Sequence, residues 1–357
     1  MILVDISGHI YKELFSSVKY SVDENGRKIK KVNGVYPVAS FERLFKNKLI
    51  MSLIYIHTRY SGMYGDIILC KDTKVKTWRK KFYPDYKLNR KQKKSDIDFN
   101  EFFEMMNKFW EVLEDVLPFK IVEFDEAEGD DVIAVLAKNL NPNEKHLIIS
   151  RDKDMVQLYK YKNITIATPF SNTFVERPKD IKKAMLSHII DGDASDNIPK
   201  VFQSNEFTDE FISFCRNNDI YEDDVQKFLN LSISDMLIED YLLESDAKGI
   251  YKTKRLSKKV KDELIDNLSE TLKNNKFWAD NFKRNATLIS FDYIPKYIED
   301  GILDAYAKAT VNTDPKKFVD FLMEANLFDI MSKSHQLFKK SESRTDVLLK
   351  KNTIEAW

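Results

Sequence analysis

Five short apolar runs constrain this chain more than anything else in it: "ILVDI" (2–6), "DIILCKD" (66–72), "KIVEF" (120–124), "KHLIISRDKD" (145–154) and "NITIAT" (163–168). Each is too short for a stable helix, and its apolar residues run on without alternating, as in a strand buried on both faces. Between them stand stretches of helical spacing, "ASFERLFKNKLIMSLIYIHTRY" (39–60) and the amphipathic "DFNEFFEMMNKFWEVLEDVL" (98–117), the latter closed by Pro118. Strands alternating with helices specify an α/β fold, a mostly parallel sheet with flanking helices. From about residue 200 strand signals vanish and helical periods dominate, from "FTDEFISFCRNN" to "FVDFLMEANLFDIMSKSHQLF". The expected division is an α/β domain over 1–200, a mainly α-helical C-terminal region over 201–340, and a polar, loosely held tail over 341–357.

In open parallel sheets, ligands bind outside the carboxyl ends of the strands. Asp5, Asp72, Glu128 with Asp130 and Asp131, and Asp152 with Asp154 all follow the end of an apolar run, so four segments bring carboxylates to one edge. The third segment is the densest: six of the nine residues from Glu123 to Asp131 are acidic, and the apolar "VIAVL" follows at once. One or two acids stabilise a helix N-terminus against its dipole; six repel one another unless cations sit among them. A solvated helix start explains that segment alone, but not the coincidence at four strand ends. Carboxylates converging without histidine or cysteine select hard, oxygen-preferring cations, Mg²⁺ with Mn²⁺ as a substitute. Two such ions roughly 4 Å apart clamp the attacking and leaving oxygens of a phosphodiester.

A phosphodiester substrate needs positive charge nearby. Lysine plus arginine equals aspartate plus glutamate at 57 each, so only the distribution of charge is informative. Residues 74–94, "KVKTWRKKFYPDYKLNRKQKK", hold ten lysines and arginines and one acid, with aromatics interleaved. Charge for a backbone and rings for stacking suit single-stranded nucleic acid; Trp78, Lys80, Lys81, Tyr83, Tyr86 and Lys91 are the candidate contacts. A second run, "KGIYKTKRLSKKVK" (248–261), offers Lys252, Lys254, Arg255, Lys258 and Lys259 to duplex phosphates, and reads equally well as a solvated loop. "DGDASDNIPKV" (191–201) adds Asp193 and Asp196 in a turn feeding a helix. Cys70 and Cys215 are the only cysteines, too few for a disulfide framework or a cysteine zinc site, which fits a reducing compartment. "MILVDISGHI" lacks the basic start of a signal peptide, and no apolar run approaches the ~20 residues of a membrane span. A cytoplasmic monomer without membrane attachment is the expectation.

Taken in order, these motifs resemble the flap endonuclease and 5′-nuclease superfamily over roughly residues 1–200. "LVDISGHIY" resembles the family's first strand and its metal aspartate, "ILCKD" the second, and "WRKKFYPDYKLNR" the start of the helical arch. "EAEGDDVIAVL" resembles the acidic signature, "ISRDKDMVQL" the Asp-x-Asp strand end, and "GDASDNIP" the last acidic motif. "NATLISFDYIP" (285–295) is similar to the branch of ribonuclease H enzymes of T-even-like phages. The resemblance implies a PIN-like 5′-nuclease fold bearing a helical arch over about 73–100, then a helical DNA-binding region. It implies a Mg²⁺-dependent 5′→3′ exonuclease with flap endonuclease activity that removes RNA primers and adjoining DNA from lagging-strand fragments in phage replication. Carried over by motif, one metal site draws on Asp5, Asp72, Glu128, Asp130 and Asp152. The second draws on Asp152, Asp154, Asp193 and Asp196, partly through water, with Asp131 in an outer role. Arg79, Lys87 and Arg90 match the basic arch positions that steer the scissile phosphate, and Tyr86 a base-stacking one. One departure stands out: most of the family follows "SDNIP" with a glycine-rich turn that holds K⁺ and one DNA strand, whereas "KVFQSNEFTDEF" has no glycine. The K⁺ site loses its usual backbone, and 248–261 is the alternative duplex contact.

Other classes meet specific obstacles. A non-catalytic protein that binds DNA junctions or flaps would not need a full set of carboxylates beside Lys87 and Arg90. A toxin-type ribonuclease on a similar sheet would be much shorter and lack the arch. A phosphatase with an Asp-x-Asp nucleophile would carry that motif after the first strand, where "VDISG" stands. The tail is a candidate dock for a sliding clamp or single-strand binding protein.

Overall fold

The computed structural model describes residues 1–92, 96–169, 173–229, 237–238, 241, 249–253 and 256–339. The chain forms two compact units, neither of them a single stretch of sequence. One comprises Met1–Lys74, Lys94–Glu176 and the chain from Lys296; the other comprises Val75–Lys93 and Arg177–Pro295. This differs from a linear cut near residue 200. The cause is the apolar face of the last helices: Phe318, Phe321, Leu322, Leu327, Ile330 and Leu337 join the same core as Phe45, Leu49 and Leu53 of the helix Glu42–Tyr64. That burial holds the helices Pro315–Glu324 and Phe328–Ser334 on the α/β unit.

In the first unit all five expected strands form: β1 (Ile2–Asp5), β2 (Ile67–Cys70), β3 (Lys120–Val122), β4 (His146–Ile149) and β5 (Ile164–Ala167). Their order is β3-β2-β1-β4-β5, and every pair is parallel. β2 and β4 are buried throughout, as apolar strands covered on both faces must be. The chain builds outward from β1 through β2 to β3, then crosses back to place β4 on the other side of β1. Strand order therefore reverses between β1 and β4, the switch point at which open α/β sheets leave a crevice.

In the second unit the helix Lys276–Ile289 packs on Ile181–Asp191, which also meets Lys258–Asp266. The region is not all helical: β6 (Gln203–Phe207) pairs antiparallel with β7 (Tyr251–Thr253). The segment that departs from the family's glycine-rich turn is therefore a strand. "QSNEF" is polar and mostly solvated, so it carries no apolar alternation to announce itself. Among the described residues no helix is long and apolar enough to cross a membrane.

Candidate active site

The strand ends of the first unit bring carboxylates together by topology. Asp5 closes β1 and stands in register with Cys70 of β2. It caps the helix Ile6–Tyr20, its Oδ1 accepting the Gly8 amide at 3.0 Å. Its Oδ2 accepts the Ser150 hydroxyl at 3.0 Å, just past β4. The Ser150 oxygen in turn accepts the Asp152 amide at 3.0 Å, and Asp152 Oδ1 accepts the Asp154 amide at 2.8 Å. A continuous chain of hydrogen bonds thus crosses the switch point from Asp5 to Asp154. Sequence reasoning missed Ser150; its one signal was a small hydroxyl where an apolar run gives way to "RDKD".

On the other side of β1, Asp72 Oδ1 accepts the amide of Gly129 at 2.6 Å, tying the end of β2 to the start of the helix Gly129–Asn139. A Cβ on Gly129 would lie 3.2 Å from both that carboxylate oxygen and the Cys70 carbonyl, so the helix start and the strand end approach closely here. Burial pushes the Cys70 thiol well up, and the nearby carboxylates of Asp5 and Asp130 add to the shift. Cys70 is a wholly buried, protonated wall of the site and no nucleophile.

The six acids from Glu123 to Asp131 divide by what they touch. Glu123 pairs with the buried Lys71 at 2.6 Å. Glu126 accepts the Tyr297 hydroxyl at 2.8 Å. Asp131 is fully buried and its Oδ2 accepts the Glu128 amide at 3.0 Å, closing the helix start as a cap. Asp125 is exposed. Glu128 and Asp130 are the two at the helix start beside Asp72. The resulting donor set, Asp5, Asp72, Glu128, Asp130, Asp152 and Asp154, is carboxylate throughout, with several members oriented by backbone amides. That chemistry fits a hard divalent cation.

Asp193 and Asp196 belong to the second unit, together with the basic segment 75–93. Asp193 turns its Oδ1 onto the amide and hydroxyl of Ser195, at 2.9 and 2.6 Å. Asp196 Oδ1 accepts Arg90 Nη2 at 2.5 Å, and its Oδ2 accepts the Tyr86 hydroxyl at 3.1 Å and lies 3.8 Å from Lys87 Nζ. Its carbonyl accepts the Lys87 amide at 2.9 Å, and Lys87 takes the left-handed φ of 59°. Asn89 donates to the Ala194 carbonyl at 2.7 Å, and Asn197, at φ 57°, donates to the Asp85 carbonyl at 2.9 Å. Asp196, expected among the metal ligands, also organises the basic segment.

Several residues expected to face nucleic acid are buried. Arg79 is 2% exposed and its Nε donates to the Leu288 carbonyl at 2.8 Å, at the C-terminal end of the helix Lys276–Ile289. There a guanidinium satisfies a terminal carbonyl and meets the negative end of the helix dipole. Trp78 is buried, and Tyr86 packs with Ile189, Ile198 and Leu288. These three are core residues because the segment folds onto apolar helix faces that its composition does not reveal. Tyr83 is partly buried beneath the Arg284 guanidinium, and burial with the neighbouring Asp85 raises its phenol. Lys80 is half-buried; Lys81, Lys252, Lys258 and Lys259 are exposed. Lys254, Arg255, the Lys91 side chain and the tail 341–357 lie outside the described residues.

The model of the 5′-3′ exonuclease N-terminal, resolvase-like domain matches residues 1–186, more than half of the chain. The chain belongs to the 5′-3′ exonuclease family. It is 30% identical over 248 residues to the ribonuclease H of Enterobacteria phage T4, covering 68% of this chain and 70% of that protein. It is 28% identical over 216 residues to the 5′-3′ exonuclease of Buchnera aphidicola subsp. Schizaphis graminum, covering 58% and 72%. Among solved structures, the phage T5 5′-exonuclease with bound zinc ions aligns over 91% of this chain and 99% of its own, at 18% identity and a TM-score of 0.46. As a member of this family the chain is a nuclease, a hydrolase whose substrate is nucleic acid.

Proposed function

We propose that this exonuclease cleaves phosphodiesters at 5′ ends of RNA–DNA and DNA duplexes, including 5′ flaps, with two Mg²⁺ ions at the acidic edge of the five-stranded sheet. The observation that carries the reading is the hydrogen-bonded line Asp5–Ser150–Asp152–Asp154 across the switch point, with Asp72 and Asp130 on its other flank. Asp5, Asp72, Glu128, Asp130, Asp152 and Asp154 would hold the cations, and Mn²⁺ would substitute. Bound there, the ions supply an acidified water and charge neutralisation at the leaving oxygen. The chain's own work is to fix the donors: Gly8 and Ser150 orient Asp5, Gly129 orients Asp72, and Asp131 locks the start of its helix. Lys87 and Arg90, which match the family's basic arch positions, would exchange Asp196 for a phosphate of the substrate. Arg79 acts indirectly, by holding its segment onto the helix Lys276–Ile289.

In this reading the enzyme is a monomer that removes RNA primers during phage replication in the host cytoplasm. A sliding clamp or single-strand binding protein is the partner of its tail. The test is cleavage of a 5′-labelled primer–template and a 5′-flap duplex in Mg²⁺ and then in EDTA. Short 5′ products that vanish with EDTA are expected. Tight binding without products under Mg²⁺ or Mn²⁺ would favour a junction-binding protein instead.

A further inference from the structure

Within the second unit, the turn from Asp193 to Ile198 is closed on itself. Asp193 and Ile198 exchange both backbone hydrogen bonds, at 2.9 and 2.8 Å. Gly192, just before it at φ 66°, has no room for a side chain, since a Cβ there would lie 2.4 Å from the Ile198 carbonyl. Three hydrogen bonds join this turn to the basic segment. Asn197 Nδ2 donates to the Asp85 carbonyl at 2.9 Å, the Lys87 amide donates to the Asp196 carbonyl at 2.9 Å, and Asn89 Nδ2 donates to the Ala194 carbonyl at 2.7 Å. They fall two residues before Lys87, on Lys87 itself and two residues after it.

Lys87 is the residue whose backbone needs such bracing. Its φ of 59° lies in the left-handed region, which side chains other than asparagine, aspartate and glycine seldom enter. A residue held there owes its conformation to its surroundings, and such residues gather at functional sites. The consequence is visible at the side chains. Lys87 Nζ lies 3.8 Å from Asp196 Oδ2 and Arg90 Nη2 lies 2.5 Å from Asp196 Oδ1, so two cations converge on one carboxylate. Lysine reaches its ammonium through a flexible four-carbon stem, so the direction in which the backbone launches that stem decides where the charge can stand.

We propose that Asn197 is a positioning residue for cleavage. Its side-chain amide, with that of Asn89, fixes the backbone turn at Lys87 and so holds the Lys87 ammonium and the Arg90 guanidinium as one pair, spaced to receive a phosphate of the substrate in place of the Asp196 carboxylate. Asn197 itself bonds to the Asp85 backbone and to neither cation. The inference rests on the reading that these two cations take a substrate phosphate, and adds the device that sets their spacing.

The test is Asn197→Gly, because glycine keeps the left-handed φ of 57° and removes only the amide. Single-turnover cleavage of a 5′-labelled primer–template in Mg²⁺ is measured beside affinity for the same DNA and thermal melting. Cleavage should slow by roughly tenfold or more, the scale on which a misplaced group costs rate, while DNA affinity stays within about threefold and the melting temperature is nearly unchanged. In a Lys87→Ala/Arg90→Ala background the same substitution should slow cleavage by less than about twofold, because the groups it acts through are already gone. A purely structural role would slow both backgrounds alike. Asn89→Ala should slow cleavage by about threefold or more, with the same loss of effect in the double-alanine background, and carries the test if Asn197→Gly does not fold. An unchanged rate in Asn197→Gly, or equal slowing in both backgrounds, would overturn the proposal. Slow cleavage by Lys87→Ala/Arg90→Ala with none of that slowing in Asn197→Gly sinks this inference alone, whereas wild-type cleavage by Lys87→Ala/Arg90→Ala would remove the phosphate reading beneath it.

Discussion

Arg79 and Arg90 stand in one basic run, yet their environments are opposite. Arg79 is buried against a helix end, while the Arg90 side chain is 57% exposed and reaches Asp196. Arg79→Ala should therefore lower stability by about 2–4 kcal/mol, since it opens a cavity and strands a carbonyl. Arg79→Lys should not restore it, because an ammonium cannot reproduce the planar Nε donor. Arg90→Ala should change stability by less than about 1 kcal/mol while slowing cleavage. Thermal melting of the three variants, set beside their cleavage rates, checks this; a stable Arg79→Ala would contradict the core role. His9 gives a pH signature of the same fold. Burial, with Lys12 nearby, lowers its imidazole from 6.5 to about 4. The unfolded chain takes up a proton below pH 6.5 that the folded chain refuses until about pH 4. This contribution is therefore lost as pH falls through that window, by about 3 kcal/mol when complete. Urea denaturation across the window should show a shallower loss in His9→Asn than in the wild type; equal slopes would exclude His9 as the cause.

The elements differ in how far composition announces them. β2 and β4 were legible because strands buried on both faces must be apolar throughout, and the acidic edge was legible because an aspartate follows each of them. β6 was not, since a solvated ribbon needs no apolar pattern. The basic segment misled for a related reason. Its aromatics read as a stacking surface, but Trp78 and Tyr86 are buried, and only the fold reveals the helices that cover them. Ser150, Asn89 and Asn197 orient the carboxylates and turns through one or two hydrogen bonds each, and no sequence pattern marks such partners. The contact between the helix Lys296–Lys308 and the end of β3 was equally hidden, and it is tight. A Cβ at Gly301 would strike the Phe124 ring. Gly301→Ala should therefore destabilise the protein by about 1–3 kcal/mol, despite alanine's better helix propensity. A melting temperature at or above that of the wild type would show that the helix shifts freely.

At the scale of the molecule, the chain interleaves two units and returns to the α/β unit after residue 295. Truncation near residue 295 should expose the core face that Phe318, Leu322 and Ile330 cover, and so yield an aggregating protein. Deletion of 341–357 removes none of that face and should leave cleavage of naked DNA unchanged; a collapse in rate would assign the tail a direct role. Charge is balanced over the whole chain but not along it, so nucleic-acid affinity should fall steeply with salt despite the zero net charge. The most direct test of the central claim is the Asp152→Asn variant, with cleavage of a 5′-labelled primer–template in Mg²⁺ and binding of the same DNA measured side by side. The account predicts that cleavage falls by about 10³-fold or more, the scale of losing a group that stabilises transition-state charge, while affinity for DNA stays within a few-fold. Cleavage at the wild-type rate would contradict it and move the active site away from the carboxyl edge of the sheet.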